Sequence, residues 1–379
     1  MSTILIKNGT LIDGSGSKRY LADILIENEK IKKIGKLDLT ADKVIDASGK
    51  IVSPGFIDTH SHSDLKVLIE PFVEPKIRQG ITTEILGQDG ISMAPLPEEY
   101  ISSWRKNLAG LDGDSDELKW DWKNTDGYLN LISKTGSGPN ELYLVPHGNI
   151  RMEAMGLEAR VATKEELEKM KEITRREMEA GVAGLSTDLI YIPCAYAETE
   201  ELIEICKVAA EYGRPLVIHQ RSEADTMLES MQEVIRIAKE SGVKIHFSHF
   251  KICGQKNWKL IEPVIALLDK CKEEGINVSY DQYPYVAGST MLGVILPPWA
   301  HAGGTDKLIE RLKDKSLREK MKKDIIEGIP GWDNFIDFAG FDGIYVTSVK
   351  TDKNQDCIGK NLTEIAELRG KEKFDAVFD

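Results

Sequence analysis

Cysteines and long apolar segments are scarce in this sequence, and both shortages narrow what the protein can be. The chain of 379 residues has five cysteines, which are widely spaced between positions 194 and 357, and none stands in a CxxC pair. An odd number of widely spaced cysteines argues against a disulfide framework, so we expect a protein of the reducing cytoplasm. No stretch approaches the ~20 apolar residues of a transmembrane helix, and the apolar run near the N-terminus is too short for a signal peptide.

Positive charge is also in short supply. Lysine and arginine number 49 against 62 acidic residues, which gives a formal net charge of -13. Binding to nucleic acid depends largely on cationic contacts to phosphate, so we expect no nucleic-acid partner. The same charge balance argues against attachment to an anionic membrane surface. Hydrophobic residues make up 41% of the chain, which is ordinary for a soluble globular protein.

The first part of the chain, residues 1–52, is predicted to form a small β-sandwich domain. Short apolar segments there are separated by turn residues such as Asn8-Gly9 and Asn28-Glu29-Lys30, which is the pattern of hairpins. Strands this short need a packing partner to be stable. The length of the chain leaves room for one large domain after this small one.

Residues 53–379 are predicted to form an α/β domain of the TIM-type (β/α)8 barrel class. Strand-like segments recur about every 30 residues with helical segments between them, which is the size of a β-helix-β unit. Seven such strands in series favour a barrel over a doubly wound sheet, whose Gly-x-Gly-x-x-Gly turn is missing. After Tyr285 the pattern stops. Residues 342–347 are a candidate strand, but we expect the barrel to be incomplete at its C-terminal end.

Five of the seven histidines in the chain follow the predicted strands. His60 and His62 end the first strand, where alternate side chains point to the same face. His147 follows the third strand, and His219 and His249 end the fifth and sixth. Chemistry in such barrels lies at the C-terminal strand ends, and neutral imidazole is a common ligand of zinc-like ions. The pattern therefore predicts a divalent metal site.

Taken together, these motifs resemble those of the D-aminoacylase (N-acyl-D-amino-acid deacylase) branch of the amidohydrolase superfamily. The resemblance extends over the whole chain and is specific in its combination of motifs. Besides the histidine pair on strand 1, the stretches that carry it are Gly80–Thr83, Gly87–Ser92, His147–Arg151, Gly184–Pro193, His219–Glu223, Ser248–Lys251 and Asp281–Tyr285.

The resemblance implies a metal-dependent hydrolase of linear amides, which splits N-acyl-D-amino acids into a carboxylate and a free D-amino acid. It implies that Asp89, His219 and His249 bind the principal Zn2+. His60 and His62 would belong to a second, weaker metal position. The residues expected to contact the small-molecule substrate are Tyr191, Lys251, Tyr283, His147 and Arg221.

The chain departs from the family pattern at two places. The metal-binding cysteine of the family is Asp89 here, and because carboxylate–imidazole sites also suit manganese and iron, Mn2+ or Fe2+ could replace Zn2+. The aspartate that serves the family as general base at the end of strand 8 has no counterpart after Tyr285. We therefore assign no catalytic base and expect a rate roughly 10²–10⁴-fold below that of a complete site.

Two alternatives stay open. A cyclic amidohydrolase of the dihydroorotase or hydantoinase kind would bridge its metals with a carboxylated lysine, and no lysine occupies a suitable strand end. A non-catalytic metal-binding protein would account for the missing general base. Metal content combined with turnover of N-acetyl-D-methionine would separate these three readings, whereas the preferred amino-acid side chain and the oligomeric state are left open by the sequence.

Overall fold

The computed structural model describes residues 2–379, and the chain divides into two compact units. The first unit contains the residues up to Ile57 together with Gln79–Thr82, and the second contains Asp58–Arg78 and Thr83–Asp379. Within the described range 2–379, no helix is both long enough and apolar enough to cross a membrane.

The first unit contains one mixed sheet of five strands, in which β3, β2, β1 and β4 lie side by side and β5 also pairs with β1. The turn between β2 and β3 places Asn28 and Glu29 at φ 49° and 68°, which fits the predicted hairpin. The predicted N-terminal sheet domain is thus confirmed. The structure describes one five-stranded sheet among residues 2–57, and the side chains of β3 and β4 are largely exposed. The strands are β1 (Thr3–Leu11), β2 (Tyr20–Glu27), β3 (Lys30–Gly35), β4 (Lys43–Asp46) and β5 (Ile51–Val52).

Most of a seven-stranded sheet lies in the second unit, and the spatial order of its strands follows the order of the chain, from β6 to β12. Each neighbouring pair from β7 to β12 is parallel. Sequential parallel strands joined by helices are the barrel arrangement that the sequence predicted. The strands are β6 (Phe56–Asp58), β7 (Ile81–Leu86), β8 (Asn140–Pro146), β9 (Gly184–Asp188), β10 (Leu216–His219), β11 (Ile245–Phe247) and β12 (Val278–Tyr280).

Nine helices lie along the chain between β6 and β12, and the longer ones bury an apolar face against the sheet. Strands β9 and β10 are buried throughout, and Leu216 and Ile218 belong to the same core as Met231 of the following helix. Thr163 and Glu166 form the predicted capping box at the start of α6. The helices are α1 (Lys66–Ile69), α2 (Glu74–Ile77), α3 (Ile101–Leu108), α4 (Thr125–Thr135), α5 (His147–Met155), α6 (Lys164–Glu179), α7 (Thr199–Glu211), α8 (Met227–Ser241) and α9 (Ile261–Glu273).

The region after β12 is helical and has a core of its own, which includes Met321, Ile325 and Phe374. The prediction of a strand at residues 342–347 is wrong. A single bridge between Tyr345 and Asn361 is formed there instead. Ile344 and Val346 pack against the helical core. The alternating apolar residues that suggested a strand therefore belong to a loop that covers the helices. The helices are α10 (Thr305–Lys313), α11 (Lys315–Glu327), α12 (Phe335–Ala339), α13 (Leu362–Arg369) and α14 (Lys373–Phe378).

Candidate metal centre

Four histidines and one aspartate converge at the C-terminal ends of the strands. His60 and His62 follow β6, His219 is the last residue of β10, and His249 comes two residues after β11. Asp89 lies in the short 3-10 turn that follows β7. Because the carboxyl ends of neighbouring parallel strands meet at one edge of the sheet, these side chains are brought together from distant parts of the chain.

Asp89 lies between the two pairs of histidines. Its Oδ2 atom is 3.1 Å from Nε2 of His62 and 3.4 Å from Nε2 of His60. Its Oδ1 atom is 3.8 Å from Nε2 of His249, which in turn is 3.1 Å from Nδ1 of His219. Ligand atoms that are each about 2.0–2.2 Å from one ion lie about 3–4 Å apart. The arrangement therefore fits one divalent ion at each histidine pair, with Asp89 shared.

The backbone at Asp89 is in an unusual conformation. Its φ is 54°, and the φ of His249 is 35°, so two of the five residues lie in or near the left-handed region. Such conformations are sparsely populated by residues other than glycine and are found mainly where function requires them. Gly87 makes the turn possible, because a Cβ atom there would lie 2.1 Å from the carbonyl oxygen of Leu144.

The electrostatics of Asp89 suit a metal ligand. The residue is 4% exposed, and its Oδ1 atom has no hydrogen-bond partner. Burial alone would favour the protonated acid, but the charge of His60 and hydrogen bonds from His60 and His62 hold the pKa of Asp89 well below its usual value. A buried, ionised oxygen without a partner is a position that a cation can fill, so the residues present fit a metal ion.

His219 differs in protonation from His62 and His249. At His249 the hydrogen bond to Glu223 and its negative charge outweigh burial and raise the pKa. Burial lowers the pKa of His219 to about 3, so this imidazole is neutral and ready to coordinate at neutral pH. Burial has the same effect on His62, but hydrogen bonds to Asp112 and Asp89 outweigh it and raise its pKa well above the usual 6.5. An ion that binds at His62 must therefore displace a proton first.

A second set of carboxylates faces the outer ring nitrogens of the histidines. Oδ1 of Asp112 is 3.3 Å from Nδ1 of His62, and Oδ2 of Asp281 is 4.0 Å from Nδ1 of His60. Sequence reasoning did not assign either carboxylate. Asp281 directly follows β12, so its place at a strand end was the signal that could have found it. Asp112 lies in the long segment between β7 and α4 and carries no such signal.

Glu223 is the corresponding carboxylate on the other side of the centre, and it too was missed. Its Oε1 atom is 3.2 Å from Nδ1 of His249, and its Oε2 atom is 3.8 Å from Nε2 of His219. It stands four residues after His219 within a stretch that the family resemblance already included. Its position relative to the strand end was therefore visible, although its role was not.

Asp188 adds one more buried carboxylate next to His219. The two residues are direct partners in the β9–β10 register, and Oδ2 of Asp188 is 3.4 Å from Nδ1 of His219. Its Oδ1 atom accepts hydrogen bonds from the backbone N–H groups of Ile190 and Tyr191, at 2.7 and 3.0 Å. Burial and the charge of Asp89 raise the pKa of Asp188 well above its usual value. Sequence reasoning missed this residue even though it ends a strand.

Asp64 supports the turn that carries Asp89. Its Oδ1 atom accepts a hydrogen bond from the backbone N–H of Gly87 at 2.8 Å and another from the hydroxyl of Ser92. Burial, together with the charge of Asp112, raises the pKa of Asp64 to about 7. His62, Asp64 and Asp112 offer ligand atoms within 4.8 Å of one another. The carboxylates of this group thus anchor both the turn and the His62 ring.

Lys251 and Tyr283, two of the predicted substrate residues, lie beside the metal centre. The Nζ atom of Lys251 is 2.6 Å from Oε2 of Glu223 and 2.9 Å from the carbonyl oxygen of His249. The same Nζ atom lies 5.5 Å from the centre of the Tyr283 ring. Tyr191 is buried, and its hydroxyl is hydrogen bonded to Thr290. Lys251 therefore brings a positive charge to the edge of an acidic cluster.

Two other predicted substrate residues have partners elsewhere. His147 is fully buried, with Nδ1 2.9 Å from the Thr187 hydroxyl and Nε2 2.7 Å from Oε1 of Glu201. Arg221 forms two hydrogen bonds to the carboxylate of Glu233, at 2.9 and 2.8 Å, and further ones to backbone carbonyls. Their substrate roles stay predictions, and the structure gives both side chains positions in the framework around the site.

Comparisons with known proteins agree on one family. The model of the amidohydrolase family matches residues 43–266. The chain is 36% identical to a D-aminoacylase of Alcaligenes xylosoxydans xylosoxydans over 290 residues, which cover 76% of this chain and 58% of that protein. It is 35% identical to an N-acyl-D-glutamate deacylase of the same organism with the same coverage. The chain therefore belongs to the amidohydrolase family, and it spans 58% of the length of these two curated relatives.

The solved structures give the same assignment for the fold. The crystal structure of N-acyl-D-glutamate deacylase from Bordetella bronchiseptica, complexed with zinc and a phosphonate inhibitor, is similar with a TM-score of 0.79 and 30% identity. The match covers 99% of this chain and 69% of that one. A crystal structure of D-aminoacylase has a TM-score of 0.77 at the same identity and coverage. The sequential parallel sheet of the second unit is thus the barrel sheet of an amidohydrolase.

Proposed function

We propose that this chain is a metal-dependent hydrolase that cleaves the amide bond of N-acyl-D-amino acids and releases a carboxylate and a free D-amino acid. The observation that carries the proposal is the position of Asp89 between two histidine pairs, with the ammonium group of Lys251 at their edge. The names of the relatives, which are deacylases of N-acyl-D-glutamate and N-acyl-D-aspartate as well as a D-aminoacylase, support this substrate class.

We infer that the ion is Zn2+, with Asp89, His219 and His249 as its principal ligands. Support comes from the zinc complex of the Bordetella relative and from the binuclear metal centre described for D-aminoacylase. His60 and His62 would share Asp89 with a second ion. A divalent cation at such a site polarises an amide carbonyl and lowers the pKa of water to about 7. Because Asp89 provides a hard oxygen ligand, Mn2+ and Fe2+ are also compatible with the ligand set.

Lys251 is the group that we expect to bind the free carboxylate of the substrate. An ammonium group has three donors, and two of its present acceptors are Glu223 and the carbonyl oxygen of His249. The ammonium group also lies 2.9 Å from Nδ1 of His249. An imidazole that coordinates a cation through Nε2 carries its proton on Nδ1, so in the metal-bound protein this third donor would turn to a substrate carboxylate and form a charge-assisted hydrogen bond. Tyr283 packs against this ammonium group, so its ring would border the same end of the substrate.

We place the protein in the cytoplasm as part of this proposal. All five cysteines are unpaired, and four of them are buried. Free thiols of this kind suit a reducing compartment.

The test compares the two enantiomers of one substrate. The full chain, loaded with Zn2+, is incubated with N-acetyl-D-methionine or N-acetyl-L-methionine, and the released methionine is quantified by chiral chromatography. The matched control is the His219→Ala, His249→Ala double variant treated in the same way. We expect release from the D-enantiomer alone and none in the double variant. Release from neither enantiomer, equal release from both, or release that survives in the double variant would refute the proposal.

A further inference from the structure

Glu223 faces the outer nitrogen of both histidines in one half of the centre. The distances are 3.2 Å from Oε1 to Nδ1 of His249 and 3.8 Å from Oε2 to Nε2 of His219. The opposite nitrogens, Nε2 of His249 and Nδ1 of His219, are the ones that point toward each other at 3.1 Å. The Glu223 carboxylate thus lies on the outer side of both imidazole rings, and the inner nitrogens of the two rings face each other.

The chemistry of neutral imidazole gives this geometry a meaning. An imidazole that coordinates a cation through one nitrogen carries its proton on the other, and that N–H needs an acceptor. A carboxylate in this position fixes the tautomer and the orientation of the ring, and it makes the ligand more basic. Oε1 of Glu223 is within hydrogen-bond distance of His249, whereas Oε2 is bonded to Lys251 and lies 3.8 Å from His219. A single side chain can therefore orient the His249 ring and place its negative charge behind both rings.

Glu223 is itself held from two sides. Its backbone N–H donates to Oδ2 of Asp333 at 2.7 Å, and the hydroxyl of the preceding Ser222 donates to Oδ1 of the same aspartate at 2.6 Å. Lys251 contacts its carboxylate from the other side at 2.6 Å. Asp333 lies between α11 and α12 and is 6% exposed. The helical region after β12 therefore holds the loop that carries Glu223 through hydrogen bonds to Asp333.

We propose that Glu223 is a positioning residue that sets the affinity and geometry of the cation held by His219 and His249. This inference rests on the proposed function only in taking those two histidines as ligands, and it does not depend on which amide is hydrolysed. A role confined to holding the fold together would leave the cation unaffected once the protein is folded. The two roles can therefore be separated by measuring the cation itself.

The experiment measures metal binding in Glu223→Gln, with Asp225→Asn as the matched control. Asp225 belongs to the same loop, but its carboxylate pairs with Lys256 at the surface, so its removal changes the charge equally without touching the histidines. Zn2+ affinity of the metal-free proteins is measured by competition with a chromophoric chelator. The visible absorption of the Co2+ forms reports the ligand geometry. Loss of such an outer carboxylate typically weakens metal binding about 10–100-fold.

We expect Glu223→Gln to bind Zn2+ about 10–100-fold more weakly and to shift the Co2+ spectrum, while Asp225→Asn matches the wild type in both. Wild-type affinity and spectrum in Glu223→Gln would overturn the inference. Thermal melting of the metal-free proteins shows whether each variant folds. If Glu223→Gln does not fold, Glu223→Asp decides: it keeps the charge but is one methylene shorter, so it cannot reach both rings. Wild-type affinity in Glu223→Asp would then overturn the inference.

The outcomes also separate this inference from the proposed reaction. Weakened Zn2+ binding in Glu223→Gln, together with a wild-type protein that releases no amino acid, would refute the reaction and leave the role of Glu223 standing. Unchanged Zn2+ binding in the variant, together with D-specific hydrolysis by the wild type, would do the reverse.

Discussion

The two halves of the candidate metal centre share Asp89 but are built in different ways. His219 and His249 come from neighbouring strands β10 and β11, and one carboxylate, Glu223, faces both rings. His60 and His62 come from a single strand end, and two separate carboxylates face them at 4.0 and 3.3 Å. His219 and His249 are fixed by the pairing of β10 with β11 and by a common carboxylate. They are therefore better preorganised than His60 and His62, because the carboxylate that faces His62 lies in the long segment between β7 and α4.

Exposure of the side chains follows the same division. The side chains of His219 and His249 are 9% and 13% exposed, whereas those of His60 and His62 are 17% and 23% exposed. Less water around a ligand means a lower local dielectric and a stronger attraction between Asp89 and a cation. We therefore expect the half formed by His219 and His249 to bind its ion more tightly.

Removal of the shared residue should have the largest effect. Asp89→Ala takes a ligand from both halves at once, so we expect it to lose both ions, whereas Asp89→Cys should bind again with a preference for Zn2+ over Mn2+, because thiolate is a soft ligand. Equilibrium dialysis followed by elemental analysis measures the metal content. Wild-type content of both ions in Asp89→Ala would mean that this residue is only part of a turn.

Removal of one histidine pair at a time should separate the halves. His219→Ala with His249→Ala should abolish the tighter site, while His60→Ala with His62→Ala should leave that site and remove only the weaker one. Zn2+ titrations in the presence of a chelator give both affinities for each variant. If the two double variants lose the same ion, or if the tighter ion survives the first of them, then the division drawn here is wrong.

A smaller change should weaken only one half. Asp112→Asn leaves His62 in place but removes the carboxylate behind its Nδ1 atom, so the weaker ion should lose about tenfold in affinity. The tighter ion should bind as in the wild type, because Asp112 faces neither His219 nor His249. A Zn2+ titration of the variant checks both affinities, and an equal loss at the two sites would argue against independent outer carboxylates.

The smallest difference between the two halves should appear in the pH dependence of metal binding. A protonated imidazole cannot coordinate, so a raised pKa makes protons compete with the cation up to that pKa. Hydrogen bonds to Asp112 and Asp89 overcome the effect of burial and keep the pKa of His62 well above 6.5, whereas burial lowers that of His219 to about 3. At His249, too, the hydrogen bond to Glu223 and its charge outweigh burial and raise the pKa, though less than that of His62. The affinity of both sites should thus rise with pH, by about tenfold per pH unit for each proton released, and that of the weaker site should keep rising after that of the tighter site has levelled off. Titrations at a series of pH values test this, and parallel curves would contradict it.

The sequence could predict where the five central residues lie because one rule places them all, although Asp89 was assigned as a ligand only through the family resemblance. Residues that directly follow parallel strands meet at one edge of the sheet, and His60, His62, Asp89, His219 and His249 all obey that rule. The family resemblance added Lys251 and Tyr283, which the structure brings to the same place. The alternation of strands and helices predicted the sheet order in the same way.

The outer carboxylates could not be predicted in this way, because their places depend on how loops fold back. Asp112 reaches His62 through the segment between β7 and α4, whose path is set by buried tryptophans such as Trp104, which donates to the carbonyl oxygen of Ser92 at 2.8 Å. His147 shows that a position at a strand end is not sufficient to bring a histidine into the cluster. It follows strand β8 as predicted, but it is also the first residue of α5, and both of its ring nitrogens have partners outside the histidine cluster.

The most direct test of this account is the position of the bound ions. A crystal of the full chain grown with Zn2+ and measured at the zinc absorption edge shows each ion as an anomalous peak. We expect a strong peak among Asp89, His219 and His249 and a weaker one among Asp89, His60 and His62. A peak among His62, Asp64 and Asp112 in place of these two, or no peak near Asp89, would contradict it.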